Sequence, residues 1–473
     1  MRTQLRRSGG EMHIHILGMG GTLMAGIALL AKEQGHAVTG YDTGLYPPMS
    51  DVLAKAGLSA SDETDIDALP DSIDLWVIGN GMRRGHPLVE SILRRQLPYQ
   101  SGPEFLAQHV LPGHHVIAVA GTHGKTSTTA LLVHLLHQVG ISPGYLVAGL
   151  PVGAAAPAAL GTDPYFVIEA DEYDTAFFDK RPKCLHYRPQ TLILNNLEFD
   201  HADIFDDLAQ IKTQFQLLLR TVPDNGCVVY HQTDINLLDV IAKGCWTPTC
   251  SFGQQPGATY ELLSLGEQGS AVSFWYAGKA YGFTWQCMGL HHANNALAAI
   301  GAAKAIGVSV ADSVQALSSF AGVKRRMERI ARSDRHTLYD DFAHHPTAIA
   351  ANIASLRQRA PGQTLTVVLV LASYTMRSGV HEAALEAMLQ GVDQAIIFIP
   401  PGSKPLAESV VAWANASAQV TAISSVEGVC AQIVKASALA NQIVIMSNQA
   451  VADLSEGLCV ALDLARCQSK TVG

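Results

Sequence analysis

No apolar run in this chain approaches the length of a membrane span, and the N-terminal stretch lacks the apolar centre of a secretion signal. The cytosol is therefore the expected location, and the basic start (Arg2, Arg6, Arg7) reads as a frayed end. Excess positive charge is also missing. A net charge of −9 at pH 7 argues against a protein that coats nucleic acid or an anionic membrane. Cysteine is sparse: eight residues are scattered over 473, which suits free thiols in a reducing compartment. Cys245 and Cys250 lie close together, but no second Cys/His pair completes a zinc site. Internal repeats, low-complexity tracts and long linkers are absent. What remains is an ordinary globular balance, 48% apolar and 15% charged, in a chain too long for one core, so roughly two to four domains are expected.

One further absence is informative. The stretch "VIAVAGTHGKTSTTALLVHLL" at 116–136 has the form of a phosphate loop, yet Val119 stands where the usual Gly-x-x-x-x-Gly-Lys-Ser/Thr pattern begins. The shorter Gly121-Thr122-His123-Gly124-Lys125-Thr126 still supplies the physical essentials. Gly121 and Gly124 let backbone N–H groups wrap phosphate oxygens, Lys125 adds positive charge, and Thr126 offers a hydroxyl to Mg²⁺. An apolar strand precedes the loop and a helical run follows it.

The first segment, 1–112, opens with "MHIHILGMGGTLMAGIALLAKEQGHAVTGYD". It reads as strand, glycine turn (Gly18, Gly20, Gly21), helix from Thr22, strand, then Asp42, at the spacing of a dinucleotide-type fold. Leu23 occupies the place of the third fingerprint glycine. A later strand ends at Asn80 and Arg84, where contacts to an anion would be useful. The second segment, 113–323, carries the phosphate loop and two strands that end in acids, "YFVIEADEYD" and "TLILNNLEFDHADIFDD". Glu169, Glu172 and His201 fall at those ends, and Glu169 with Thr126 makes a reasonable Mg²⁺ pair because that ion favours oxygen ligands. An antiparallel excursion is expected at 271–285, then an Ala-rich helix. In the third segment, 324–473, "TLTVVLVL", "QAIIFIPP", "QVTAIS" and "NQIVIMS" alternate with helical patterns, as in a parallel sheet.

The loop together with "EADEYD", "NNLEFDHADIFDD", "GLHHANN", "KRRME" and "YDDFAHHPT" resembles the Mur ligase family, ATP-dependent amide-bond ligases of peptidoglycan synthesis. The resemblance covers nearly the whole chain, in the family's motif order. It implies an α/β protein of three domains: a Rossmann-like N-terminal domain for a UDP-sugar, a central P-loop sheet for ATP and Mg²⁺, and a C-terminal Rossmann-like domain that closes over the site. Gly18, Gly20, Gly21, Thr22, Asp42, Asn80 and Arg84 would serve the UDP-sugar. Gly121, Thr122, Gly124, Lys125, Thr126 and Ser127 would hold ATP, with His291, Asn295 and Asp341 near the nucleotide and Arg326 reaching phosphate. Thr126, Glu169 and His201 would be the metal ligands; Lys125, His201 and Arg326 would act in the reaction; His344, His345 and Arg377 would line the substrate cleft.

Within the family, "DEYDTAFFDKR" and "NNLEFDHADIFDDL" look most like the members that join UDP-N-acetylmuramate to a ready-made murein tripeptide in recycling. No nucleic-acid or membrane partner is expected, and the chain would be a monomer or weak homodimer. Free L-alanine as the amine is the sibling reading; a P-loop kinase or nucleotide switch is the rival from another class. A nicotinamide oxidoreductase would leave the central loop unexplained. Several family positions differ. The second His of His291-His292 replaces an Asn, and the family's Arg-Gly-Asn-Pro reads Arg84-Gly85-His86-Pro87. Val370-Leu371-Ala372-Ser373 and Ser447-Asn448-Gln449-Ala450 replace an Arg-bearing and a Gly-rich stretch, so Arg377 is the candidate for the lost charge. Lys212 is off the position of the carbamoylated lysine found in some relatives.

Overall fold

In a computed structural model, residues 10–154, 156–371, 374–417, 419–436, 441–449 and 451–467 are described. The expected strand–glycine–helix opening is present. Strand His13–Leu17 buries four of its five residues, turns at Gly18 with φ +78°, and feeds helix Thr22–Glu33. A parallel sheet forms around it in the order Ala60–Ser61, Ala37–Tyr41, His13–Leu17, Leu75–Ile78, Tyr99–Ser101. The chain thus runs outward on one side of its first strand and then on the other, the doubly wound arrangement whose crevice lies at the strand C-termini. Helix Thr22–Glu33 buries seven of twelve residues. Gly26 allows a close approach there, since a Cβ on it would sit 3.2 Å from Leu146.

The chain divides into two compact units. The first runs to Ala118 and also takes in Ser142–Ala148 and Ala156–Gln190, stretches that the sequence alone assigns to the second segment. Strand Tyr165–Glu169 pairs in parallel with Gly144–Leu146, and a hairpin of Asp174–Ala176 with Asp179–Pro182 follows.

The second unit holds the phosphate loop and everything from Thr191 onward. Strands Thr191–Leu194, Cys227–His231, Thr249–Gly253 and Tyr260–Leu265 are parallel neighbours. Ala271–Tyr276 and Lys279–Thr284 then add the expected antiparallel excursion. Helices Lys125–Gln138 and Leu290–Ala305 pack together. Gly301 lets the second of these helices lie close on the sheet: a Cβ on it would meet Val229 of strand Cys227–His231 at 2.9 Å. Leu131 on the first of these helices is wholly buried. Leu131→Ala should cost about 2–5 kcal/mol of stability, read as a lower apparent Tm; an unchanged Tm would show that this contact carries little of the packing.

The same unit contains a seven-stranded sheet. Val420–Ile423, Gln394–Phe398, Thr364–Val370, Asn441–Ser447 and His336–Asp341 are parallel in that spatial order. Glu328–Arg332 and Ala465–Arg466 continue it antiparallel. All four apolar runs expected as strands are here; Thr364–Val370, Gln394–Phe398 and Asn441–Ser447 are buried between two apolar clusters, while edge strand Val420–Ile423 is partly exposed. Among the described residues, no helix is long and apolar enough to cross a membrane. All eight cysteines are free.

Candidate functional site

The loop at 121–124 is shaped by its glycines. Gly121 and Gly124 have φ of +144° and +80°, a region that side chains with a Cβ rarely adopt. A Cβ at Gly121 would lie 3.0 Å from Asn195 Cβ, and one at Gly124 would lie 2.8 Å from Asn295 Oδ1. Gly124 is the N-cap of helix Lys125–Gln138 and gives it no side-chain cap. A long helix therefore presents its N-terminal N–H groups and positive dipole end at a glycine cradle, which fits a phosphate group. Lys125 Nζ folds back to donate to the Gly121 carbonyl at 2.7 Å. Thr128, one turn in, accepts from Asn195 Nδ2, fixing the helix to the end of the neighbouring strand. Ser127 is buried on the same turn.

The loop is held from one side by the "NNLE" turn. His123 N–H donates to Asn196 Oδ1 at 2.7 Å, and Asn196 Nδ2 donates back to the His123 carbonyl. The Thr122 hydroxyl accepts from Glu198 N–H at 2.9 Å. Beyond this turn, His201 sits at φ +60°, a strained conformation for a residue with a Cβ. Its N–H donates to Asp200 Oδ1, and its carbonyl accepts from Ile204 and Phe205.

Arg326 reaches the loop from the start of the seven-stranded sheet. Its guanidinium donates to Thr126 Oγ1 at 3.1 Å and lies 4.7 Å over the Phe342 ring. The residues on either side, Arg325 and Met327, have φ of +58° and +51°. Asp341 holds this tight segment. It is buried and accepts from Met327 N–H at 2.6 Å, Ala343 N–H at 2.7 Å and Asn352 Nδ2 at 2.8 Å. Burial pushes its pKa up, against the pull of nearby Arg326. Three protein donors on its two oxygens make Asp341 the anchor of the arginine-bearing segment.

Asn295 lies against Gly124. His291 and His292 sit on the first turn of helix Leu290–Ala305, their rings 4.1 Å apart. Desolvation lowers both pKa values, that of His292 to about 4 and that of His291 well below its usual range. They are neutral at pH 7 and offer no cation to a phosphate. His292 Nδ1 donates to the Met288 carbonyl, a backbone role for the residue that departs from the family pattern.

In the first unit, the helix after the Gly18 turn starts at Thr22 without a side-chain cap, so its N-terminus is open. Asp42 does not stand apart from the turn. Its Oδ2 accepts from Gly20 N–H at 2.8 Å and its Oδ1 from Gly44 N–H, so it braces the glycines. Arg84 is exposed and paired with Glu90 through Nε at 2.9 Å and Nη2 at 3.2 Å. Its charge is matched by a neighbour four residues into the same loop–helix junction, and Asn80 shares none of these bonds. Glu169 ends its strand buried and accepts from Ala148 N–H. Glu172 is buried too.

Of the cleft residues, His344 Nδ1 donates to the Phe342 carbonyl at 2.9 Å. His345 caps helix Pro346–Arg359 by accepting from Thr347 N–H, while its Nε2 donates to the Phe199 carbonyl at 3.3 Å. Arg377 lines a cavity of about 360 Å³ with Val370, Leu371, Phe398, Lys404 and Gln449. This cavity lies at the C-terminal ends of strands Thr364–Val370 and Gln394–Phe398, and two cations border it. Ala372, Ser373 and Ala450 lie outside the described residues. Sequence reasoning missed Lys404 and missed His123 and Glu198 as a pair. The signal for His123 was its place inside the phosphate loop, and for Glu198 its place three residues before His201.

Three family models match in succession: the Mur ligase family catalytic domain over 13–113, the Mur ligase middle domain over 119–303, and the Mur ligase glutamate ligase domain over 325–448. The chain is 43% identical over 444 residues to the UDP-N-acetylmuramate–L-alanyl-γ-D-glutamyl-meso-2,6-diaminoheptandioate ligase of Escherichia coli K12, covering 92% of this chain and 95% of that protein. A UDP-N-acetylmuramate–L-alanine ligase of Psychrobacter sp. is 30% identical over 81% of this chain and 80% of its own. Among solved structures, a murein peptide ligase from Psychrobacter arcticus 273-4 matches with a TM-score of 0.74 and 40% identity, covering 95% of this chain and 98% of that one.

Proposed function

The chain belongs to the Mur ligase family, and from that premise we infer that it joins UDP-N-acetylmuramate to L-Ala-γ-D-Glu-meso-diaminopimelate in peptidoglycan recycling. It is an ATP-dependent carboxylate–amine ligase. The observation that carries the tripeptide reading is 43% identity, over almost the full length of both chains, to a ligase named for that peptide. The two cations at the third-segment cavity, Arg377 and Lys404, suit a peptide with several carboxylates.

A carboxylate resists attack by an amine because its charge repels the nucleophile and oxide is a poor leaving group. ATP supplies the phosphoryl group that converts it to an acyl phosphate, and Mg²⁺ supplies neutralising charge. The protein's part is to position and to balance charge. The helix N-terminus behind Gly124 and the Lys125 ammonium would receive phosphate oxygens. Arg326, set by Asp341 and Phe342, would add positive charge over Thr126. His291 and His292, neutral, add none. By motif position, Thr126, Glu169 and His201 would hold Mg²⁺, the UDP-sugar would belong to 1–112, ATP to 113–323, and the amine to 324–473.

Glu169→Gln and His201→Ala should each raise the Mg²⁺ concentration needed for half-maximal turnover. A titration unchanged in both variants would leave these residues with structural roles. The reading as a whole is tested by omission: ADP and phosphate should appear only when ATP, UDP-N-acetylmuramate and an amine are all present. Phosphate release that ignores the amine would favour a kinase or nucleotide switch.

A further inference from the structure

His123, Glu198 and His345 come from three separate stretches of the second unit, the phosphate loop, the turn after strand Thr191–Leu194, and the cap of helix Pro346–Arg359. One ligand atom from each falls within 4.8 Å of the others. Glu198 Oε2 is the focus: His123 Nε2 lies 3.2 Å from it, His345 Nδ1 3.6 Å, and the Thr347 hydroxyl donates to it at 2.7 Å. The two imidazole rings are 4.4 Å apart, and the His381 ring lies 4.5 Å from that of His345. His381 Nε2 is buried and has no hydrogen-bond partner.

From this arrangement we propose that His123, Glu198 and His345 form a transition-metal site, distinct from the Thr126, Glu169 and His201 set expected for Mg²⁺, that takes Zn²⁺. Two imidazole nitrogens and one carboxylate are a donor set of the zinc kind with one position left open, whereas Mg²⁺ favours a mostly oxygen shell in near-octahedral geometry. His345 Nδ1 accepts from Thr347 N–H and its Nε2 donates to the Phe199 carbonyl, so a metal would take the Nδ1 lone pair from the helix cap while Nε2 keeps the ring oriented. Zinc–nitrogen and zinc–oxygen bonds of about 2.0–2.2 Å require the widest-spaced ligand atoms to close by roughly 1 Å. Thr347 already orients the carboxylate from outside the triad, the kind of support that fixes ligand geometry. His381 is placed to follow as a fourth ligand or to orient His345.

A metal here ties the phosphate loop to the His345 cap, so turnover should fall as the site fills. That consequence rests on the ligase reading; metal binding itself does not. The test uses the full-length, metal-free protein without nucleotide, with Zn²⁺ titrated against a chromophoric chelator in excess Mg²⁺, and Co²⁺ as a spectroscopic probe. One equivalent should bind, with the visible absorption of a low-coordinate, nitrogen-ligated Co²⁺. His123→Ala and Glu198→Gln, which alter different elements, should each weaken Zn²⁺ at least about tenfold while far-UV circular dichroism is unchanged. Absence of a stoichiometric site, or wild-type Zn²⁺ affinity in both variants, overturns the proposal. So does loss of Zn²⁺ in Glu169→Gln but in neither of them, which would put the ion at the Mg²⁺ position. Zinc that binds as expected while the ligase assay fails would leave this site standing and remove only the inhibition.

Discussion

Lys125→Ala should lower turnover by at least about a thousandfold and leave the fold intact, the scale at which removed charge stabilisation slows phosphoryl transfer. At about 1.36 kcal/mol per factor of ten, that is roughly 4 kcal/mol of transition-state stabilisation. The structure explains why the fold survives. Lys125 Nζ donates to the Gly121 carbonyl within the loop, while the helix it begins is fixed by buried Leu131, Leu132, Leu135 and Leu136 further along. Removing the ammonium leaves that apolar face in place. The expected signature is a collapse of kcat with little change in the melting profile. Near-normal phosphate release from the variant would show that the loop does not act on the transferred phosphoryl group.

Arg326→Ala should cost about a hundredfold or more in kcat, by loss of the second cation at the loop. Arg326 is set with care: its guanidinium donates to Thr126, rests on Phe342, and belongs to a segment with two left-handed residues held by Asp341. Strain of about 1–3 kcal/mol per such residue persists where surrounding structure over-determines it. Arg326→Lys should recover only part of the loss, since an ammonium cannot lie flat on the ring and bond sideways at once. Equal activity in the wild type and Arg326→Ala would reduce this arginine to a packing role.

Local pattern made much of this protein legible. The phosphate loop was readable because strand, glycines, Lys and helix are consecutive. The third-segment strands were readable because fully buried parallel strands are continuous apolar runs. Pairings across the chain were not readable. Nothing beside Asp341 signals that its oxygens go to Met327, Ala343 and Asn352, and nothing beside His123 points to Glu198, 75 residues away. Arg84 looked like an anion contact because its partner Glu90 lies six residues on, inside what reads as a separate helix. Hairpin Asp174–Ala176/Asp179–Pro182 was hidden by its short, polar strands, which carry no alternation to detect.

The central claim is the identity of the amine. A tripeptide offers carboxylates remote from the reacting nitrogen, and contacts to those groups can position that nitrogen for attack. Arg377 and Lys404 border a cavity of about 360 Å³, and the Arg-bearing and Gly-rich stretches of the relatives are replaced here by 370–373 and 447–450. The account therefore predicts a preference expressed in kcat/KM, with weak peptide binding. The most direct measurement supplies ATP and UDP-N-acetylmuramate with L-Ala-γ-D-Glu-meso-diaminopimelate and free L-alanine in competition, and quantifies both UDP-linked products by mass. Product formed from the tripeptide in excess over that from L-alanine at equal concentrations is the predicted result; predominance of the L-alanine product would contradict it and assign the chain to the sibling activity.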